Sequence, residues 1–215
     1  MAHKDTLQRM KQAGVVAVMR TESPEELVEV SRALKKGGVE CIEVAMTTPG
    51  ALEVIESVTD EIENVLIGAG TVLDAETARS AILAGAEYVV SPTTDFEMIK
   101  MAKRYGKVVA PGTFTPTEIM NAWQAGADII KVFPASRLGP KYISDVKSPL
   151  PQVSLMPTGG IDQGNAEDFI KAGADVLAAG SALIDKKAIA EGNYQVITEN
   201  ARKLVETVRA TRKSD

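Results

Sequence analysis

The chain has 215 residues, of which 45% are hydrophobic and 25% are charged, and its formal net charge is −5 at pH 7. This composition is typical of a globular protein with a sizeable core, and the negative charge argues against a general nucleic-acid binder. The single cysteine, Cys41, excludes an internal disulfide and favours a reducing compartment.

The N-terminal residues have no sustained apolar core of the kind found in a signal peptide. The longest weakly polar run, at 176–184, is far shorter than a membrane span. We therefore expect a cytoplasmic protein that binds neither nucleic acid nor a membrane.

Short β-branched or small apolar runs alternate with amphipathic helical stretches along the chain, and eight of them predict strands. In chain order these are Val15–Arg20, Cys41–Met46, Val65–Gly70, Tyr88–Ser91, Val108–Pro111, Ile129–Phe133, Ser154–Pro157 and Val176–Ala179. Strands this apolar are buried on both faces, as a parallel sheet requires.

No Gly/Ser-rich linker divides the chain, so we predict one domain over residues 1–215. The predicted fold is α/β, a (β/α)₈ TIM barrel with parallel strands, flanked by helices at the N- and C-termini. A doubly wound open sheet is the alternative, but eight strands within about 165 residues favour a closed barrel.

Hydroxyl and carboxylate side chains mark several predicted helix starts. Ser23 and Thr115 each precede a proline, with a glutamate three residues after the hydroxyl, which predicts a capping box. Asp74 is predicted to cap the helix after the third strand.

Lys131 is a lone charge within an apolar strand. Side chains alternate along a strand, so Ile129, Lys131 and Phe133 share one face. Both faces of a barrel strand are dry, and desolvation lowers the pKa of an amine, which makes it nucleophilic near neutral pH. The alternative is a lysine that extends from the strand end to solvent.

Glu43 is a second lone charge within an apolar strand. If it lies across the barrel from Lys131, the two form either a buried structural salt bridge or an acid/base pair that moves protons during imine chemistry. For the second role, their charged groups should lie roughly 3–6 Å apart, within direct or single-water hydrogen-bond reach.

Glycine-rich loops follow the last two predicted strands, as Pro157-Thr158-Gly159-Gly160-Ile161 and Ala179-Gly180-Ser181-Ala182. In (β/α)₈ enzymes, backbone amides of these loops often bind a phosphate.

Polar residues also end the first three predicted strands: Arg20, Thr47-Thr48 and Thr71. They would line the same mouth, where they could hold a carboxylate.

The sole histidine, His3, cannot build a catalytic triad or a histidine-ligated metal site. No dinucleotide-binding fingerprint follows any strand. We therefore predict no cofactor and no metal, and an amine nucleophile is the strongest chemical group that remains.

The chain resembles the bacterial 2-keto-3-deoxy-6-phosphogluconate / 4-hydroxy-2-oxoglutarate aldolase family. The resemblance rests on the order and spacing of VVAVMR at 15, IEVAMTTPGA at 42, IGAGTVL at 67, SPTT at 91, PGTFTPTE at 111, IKVFPAS at 130, MPTGGI at 156 and GSAL at 180. It implies a class I, metal-independent aldolase that cleaves a 2-keto-3-deoxy sugar acid into pyruvate and an aldehyde, and a three-fold homo-oligomer.

The resemblance also implies roles for particular residues. Lys131 matches the Schiff-base lysine and Glu43 the acid/base glutamate. Thr71, Arg20 and Thr47 would bind the pyruvyl carboxylate, Pro92 and Phe133 would flank the pyruvyl group, and Gly159, Gly160, Gly180 and Ser181 would form the phosphate site. Thr47 stands where many members have an arginine, and Thr93 stands where a glycine is commoner.

Several functions remain open on the sequence. The leading one is cleavage of 2-keto-3-deoxy-6-phosphogluconate, and the same chemistry on the galactonate epimer or on 4-hydroxy-2-oxoglutarate is a close alternative. A phosphate-sugar isomerase would use an acid/base pair without an imine. A trimeric scaffold without activity would need neither Lys131 nor Glu43.

Overall fold

The computed structural model describes residues 3–20 and 24–213. Over this part of the chain, parallel strands alternate with helices, as the sequence predicts. The strands are β1 (Val15–Met19), β2 (Cys41–Ala45), β3 (Leu66–Gly70), β4 (Tyr88–Val90), β5 (Val108–Ala110), β6 (Gly112–Thr113), β7 (Ile130–Val132), β8 (Leu155–Pro157) and β9 (Leu177–Ala179).

The structure has ten α-helices within the described residues. The first precedes β1, and the others follow strands and cover the outside of the sheet. The helices are α1 (His3–Ala13), α2 (Pro24–Lys36), α3 (Ala51–Glu61), α4 (Ala75–Leu83), α5 (Phe96–Arg104), α6 (Pro116–Gln124), α7 (Gly139–Lys147), α8 (Ala166–Lys171), α9 (Lys186–Ala190) and α10 (Tyr194–Lys213). A 3₁₀ turn, Ala135–Arg137, follows β7.

The strands form a curled parallel arrangement in two sheets. One has the order β5-β4-β3-β2-β1-β9 and the other the order β6-β7-β8. Every strand pairing is parallel, and Glu43, Gly68, Tyr88 and Val108 share one level of the register across β2, β3, β4 and β5.

The sequence predicts one continuous fifth strand at 108–111, and this prediction is wrong. The segment forms two short strands, β5 and β6, on either side of Pro111. Proline has no N–H to donate, so the ladder is interrupted there. The Pro111 carbonyl still accepts a hydrogen bond from the Lys131 N–H at 3.0 Å.

Hydrogen bonds connect the two sheets on both sides. The amides of Asp128 and Ile129 donate to the Val109 carbonyl at 3.1 and 3.4 Å. On the other side, Thr158 and Ala178 form an isolated parallel bridge. The curled arrangement therefore differs from the open doubly wound alternative, whose outermost strands make no such contacts.

Because successive side chains of a strand point to opposite faces, the core consists of two hydrophobic clusters. The outer cluster packs strands against helices. The inner cluster includes Val16, Cys41, Tyr88 and Ile129, and Met10 of α1 joins it. Since Glu43 and Lys131 lie two residues after Cys41 and Ile129, both face the interior, as the sequence predicts.

Two of the predicted helix caps are confirmed. The Thr115 hydroxyl and the Glu118 carboxylate form a capping box at the start of α6, and the Asp74 carboxylate accepts a hydrogen bond from the Thr77 amide at 2.6 Å. The predicted cap at Ser23 lies outside the described residues.

Across the described ranges, none of the helices combines the length and apolarity needed to cross a membrane.

Candidate active site

A cavity of about 950 Å³ opens at the carboxyl ends of the strands. The wall includes most of the site residues predicted from the sequence: Arg20, Thr47, Thr71, Pro92, Lys131, Phe133, Gly159, Gly160, Gly180 and Ser181. Glu43 and Thr48 do not line the cavity, and the prediction that Thr48 does so is wrong, because its side chain is buried with 5% of its surface exposed. Seven different strands, β1 to β4 and β7 to β9, contribute these groups at or just beyond their carboxyl ends, because those ends of parallel strands meet at one edge.

Lys131 is the most deeply buried cation of the cavity wall, with 5% of its surface exposed. Its backbone is fixed from both sides, because its N–H donates to Pro111 and its carbonyl accepts from the Thr113 hydroxyl at 3.1 Å. Burial lowers the pKa of the Lys131 amine, Arg20 lowers it further, and the negative charge of Glu43 partly opposes the shift. The neutral, nucleophilic form is therefore more populated than in an ordinary lysine.

Glu43 lies beneath the cavity on β2 and is 1% exposed. Burial raises the pKa of its carboxyl group, while Lys131 and Arg20 lower it. Gly70 makes room for this side chain, since a Cβ atom at that position would overlap Glu43 Oε1. Within the described chain, the buried Oε2 atom has no hydrogen-bond partner.

No ion pair within 4.0 Å joins Lys131 to Glu43, although both are described and each shifts the pKa of the other. The structural salt bridge considered from the sequence is therefore absent as a direct contact. An unpaired buried acid near an unpaired buried amine is typical of a functional site rather than of a stabilising pair.

Thr71 has an unusual backbone conformation at the cavity wall. Its φ is 57°, in the left-handed region that β-branched residues rarely adopt. Such strain persists only where the surrounding structure imposes it, and it often marks ligand sites. Arg20 and Thr47 are exposed beside it, so this side of the cavity offers one guanidinium and two hydroxyl groups.

Phe133 forms an apolar wall next to the amine. The Lys131 Nζ atom lies 5.1 Å from the centroid of the Phe133 ring. The ring also packs near Gly159, where a Cβ atom would come within 3.3 Å of it.

The glycine loops form the far end of the cavity. Gly159 and Gly160 have φ values of 90° and 78°, so two successive residues adopt a conformation that favours glycine. Among the described residues, the amide N–H groups of Gly160 and Ser181 have no acceptor, which leaves them available for an anion.

Five further wall residues were not predicted from the sequence: Val18, Ala178, Ile184, Asp185 and Lys186. Thr158, within the predicted phosphate loop, lines the wall as well. Alternation along β1 and β9 could have identified Val18 and Ala178 as inward-facing. Lys186 begins α9 within a charged, solvent-exposed stretch, and nothing in that pattern distinguishes it from an ordinary surface lysine.

His3 lies away from this cavity, in α1, where its ring is 3.0 Å from the Asp128 carboxylate. No group of three or more His, Cys, Asp or Glu side chains that could hold a metal ion occurs within residues 3–20 and 24–213.

Comparison with known proteins gives consistent matches along the chain. A family model described as KDPG and KHG aldolase matches residues 7–200. A 2-dehydro-3-deoxy-phosphogluconate aldolase from Treponema pallidum (strain Nichols) is 33% identical over 205 residues, which span 95% of this chain and 96% of that protein.

Solved structures agree with this match. One described as the native KDPGal structure has a TM-score of 0.87 and 29% identity, and the match covers 93% of this chain and 96% of that one. A KDPG aldolase from Legionella pneumophila, with pyruvate captured at low pH as a covalent carbinolamine intermediate, has a TM-score of 0.82 and 28% identity over 88% of this chain and 92% of that one.

A family model that spans most of the chain and a full-length relative of similar sequence point to the same group of enzymes. This chain belongs to the KDPG and KHG aldolase family.

Proposed function

We propose that this chain is a class I aldolase that cleaves 2-keto-3-deoxy-6-phosphogluconate into pyruvate and glyceraldehyde 3-phosphate through a Schiff base on Lys131. The observation that carries the proposal is the unpaired, buried Lys131 amine at the cavity wall, whose pKa is lowered by burial. Carbinolamine formation in the Legionella relative is the first step of the same chemistry.

The reaction begins when the neutral Lys131 amine attacks the C2 ketone of the substrate. Loss of water from the carbinolamine gives a protonated imine, which withdraws electrons from the C3–C4 bond. Removal of the C4 hydroxyl proton then breaks that bond and releases the aldehyde. The remaining enamine takes up a proton at C3, and hydrolysis of the imine releases pyruvate and restores Lys131.

Glu43 serves as the acid and base in these steps, through a water between it and the reacting atoms. Its raised pKa supports this role, because a carboxyl group that titrates nearer to neutral pH can both give and accept a proton. No ion pair within 4.0 Å joins Glu43 to Lys131, which supports transfer through a water rather than directly between the two groups.

Arg20, Thr47 and Thr71 bind the pyruvyl carboxylate, with the guanidinium supplying charge and the hydroxyls supplying directed hydrogen bonds. Pro92 and Phe133 enclose the apolar part of the pyruvyl group. The cavity position of these residues supports the assignment.

The phosphate binds at the opposite end, on the amides near Gly159, Gly160, Gly180 and Ser181. The unpaired amides and the left-handed glycines support an anion site there. Lys186, which also lines the cavity, adds positive charge at its mouth.

The galactonate epimer and 4-hydroxy-2-oxoglutarate are the alternative substrates, and relatives of both kinds are named among the matches. The epimers differ only at C4, whereas 4-hydroxy-2-oxoglutarate has no phosphate. A scaffold without activity is disfavoured, since a buried amine and acid without a direct partner weaken a fold.

We further propose that the strands close into a full (β/α)₈ barrel and that residues 1–215 form a single domain. The hydrogen bonds between the two sheets on both sides support closure. A homotrimer is also proposed, supported by the exposed apolar side chains of Phe96 and Phe114, which line a smaller pocket that shares Pro92 and Phe133 with the cavity. The cytoplasmic location expected from the sequence stays a prediction.

The proposal is tested by steady-state cleavage of the three candidate substrates by the purified protein. The proposed function predicts that kcat/KM is highest for the phosphogluconate compound. It also predicts that free phosphate inhibits cleavage of the phosphorylated substrates competitively. Cleavage of none of the three would contradict the proposal, and a higher kcat/KM for 4-hydroxy-2-oxoglutarate would reassign the substrate.

A further inference from the structure

Tyr88 is a buried phenol inside the ring of strands, and the proposed function leaves it without a role. It lies on β4, is 0% exposed, and belongs to the inner cluster beneath the cavity. Its hydroxyl has no hydrogen-bond partner in the described part of the chain. Buried hydroxyl groups are almost always hydrogen-bonded, so an unpaired one in a core position requires an explanation.

The side chains of Tyr88 and Glu43 both pack over the inner face of β3. In the register, Gly68 lies between Glu43 on one neighbouring strand and Tyr88 on the other. A Cβ atom at Gly68 would overlap the Tyr88 ring, and one at Gly70 would overlap the Glu43 carboxylate. Two glycines on the inner face of one strand thus make room for both side chains.

Both side chains carry an unsatisfied buried oxygen, Tyr88 Oη and Glu43 Oε2. Burial raises the pKa of Tyr88 well above its ordinary value, and the neighbouring acidic groups of Cys41 and Glu43 raise it further, so the phenol keeps its proton. The Tyr88 hydroxyl is therefore always available as a hydrogen-bond donor, and the Glu43 carboxylate is an acceptor when it is ionised.

We propose that Tyr88 is a positioning residue for Glu43: its O–H donates, through one buried water, to Glu43 Oε2 from beneath the active site. A buried water of this kind needs two or more polar partners, and these two atoms supply them. The bond holds Oε2 on the lower side and leaves Oε1 for the water that serves the substrate. This inference rests on the proposed function of Glu43.

The link to Tyr88 affects the balance between ionised and protonated Glu43. Donation to the carboxylate favours the ionised form, which opposes the effect of burial. The other groups that act on Glu43 are Lys131 and Arg20, which both favour ionisation. Loss of the Tyr88 hydroxyl should therefore raise the pKa of Glu43 further.

The test uses exchange of the pyruvate methyl protons with solvent deuterium, measured by NMR at saturating pyruvate across pH. Under these conditions Lys131 is already in the imine, so the acid limb of the rate reports the proton-transfer group. We compare the wild type with Tyr88→Phe, which removes only the hydroxyl. The matched control is Val108→Ala, a change in the same inner cluster and the same register level without a polar atom.

The expected result is an acid limb that moves upward by roughly 0.5–1 pH unit in Tyr88→Phe, as loss of one donor would cause. Apparent affinity for pyruvate should stay the same. Val108→Ala should lower the melting temperature and leave the acid limb of the pH–rate profile unchanged. An unshifted limb in Tyr88→Phe, or a higher melting temperature than wild type, would overturn the inference, because removal of a partnerless hydroxyl stabilises a core.

Failure of the proposed function gives a different result. If the wild type exchanges no protons, the imine chemistry is wrong and the inference falls with it. If the wild type exchanges normally and Tyr88→Phe is unchanged, only the inference is wrong. A high-resolution crystal structure provides a second measurement, in which one water bonded to both Tyr88 Oη and Glu43 Oε2 supports the inference. A structure in which no water is shared by Tyr88 Oη and Glu43 Oε2 would overturn the inference.

Discussion

Glu43 and Lys131 face the same interior from β2 and β7 and influence each other's pKa, yet no ion pair within 4.0 Å joins them. Two opposite charges buried close together usually pair directly, because separation leaves each poorly solvated. The separation is explained if a reacting group and a water occupy the space between amine and carboxylate.

Lys131→Met should abolish cleavage while the protein still folds. Methionine fills similar volume without the charge, so the melting temperature should stay within about 4 °C of the wild type or rise. The control is Lys141→Met, on the exposed surface of α7, which should keep full activity. More than trace cleavage by a folded Lys131→Met protein would refute the imine mechanism.

Glu43→Gln should lower kcat by about 10²–10⁴-fold, the usual contribution of a positioned acid or base. The amide keeps the shape of the side chain but cannot exchange a proton. Glu40→Gln is the matched control, since Glu40 is only a few residues away and pairs with Arg209 on the exposed surface. Equal kcat values for the two variants would show that Glu43 is not the proton-transfer group.

The pH dependence of kcat/KM should reflect the shifted groups of the free enzyme. Attack needs the neutral Lys131 amine, and burial lowers its pKa from 10.5, so the rate should rise with pH and level off below that value. Glu43 also makes the rate fall as the pH is lowered, because its raised pKa means that it becomes protonated at a higher pH than an ordinary carboxylate. A rate that still increases at pH 10.5 would contradict a desolvated lysine.

Gly160→Ala should weaken binding of phosphorylated substrates. Its φ is 78°, and an added Cβ would come within 2.5 Å of Ser136 Cβ, so the loop amides must shift. We expect KM to rise about tenfold for the phosphorylated acids and little for 4-hydroxy-2-oxoglutarate. Gly126→Ala is the control, because Gly126 also has a positive φ but open space around it. Equal rises for both kinds of substrate would place the phosphate elsewhere.

Chelators should leave activity unchanged, because the imine rather than a metal ion withdraws the electrons. The measurement is cleavage after prolonged dialysis against EDTA, with and without added divalent cations. Loss of activity that a cation restores would move the protein to the metal-dependent aldolases.

Much of the site could be predicted from the sequence because parallel strands impose simple geometry. Alternation alone placed Lys131 and Phe133 on one face, and strand ends placed Arg20 and Thr71 at one edge. A charged residue in an apolar strand is a strong local signal, since a solvated surface would not produce that pattern.

Other features depend on contacts that sequence patterns do not encode. The interruption at Pro111 depends on how the ladder passes a residue without an N–H. Tyr88 is indistinguishable in sequence from an ordinary core aromatic, and only the structure reveals its unpaired hydroxyl and the glycine that admits its ring. Likewise, no sequence pattern encodes the distance between the Glu43 and Lys131 side chains, so the absence of a direct ion pair could not be predicted.

The most direct test of the central claim is borohydride reduction of the wild-type protein with pyruvate present, followed by intact-mass measurement and peptide mapping. We expect one added pyruvyl unit per chain, located on Lys131, and no addition to Lys131→Met. An unmodified wild-type chain, or a pyruvyl unit on another lysine, would contradict that claim.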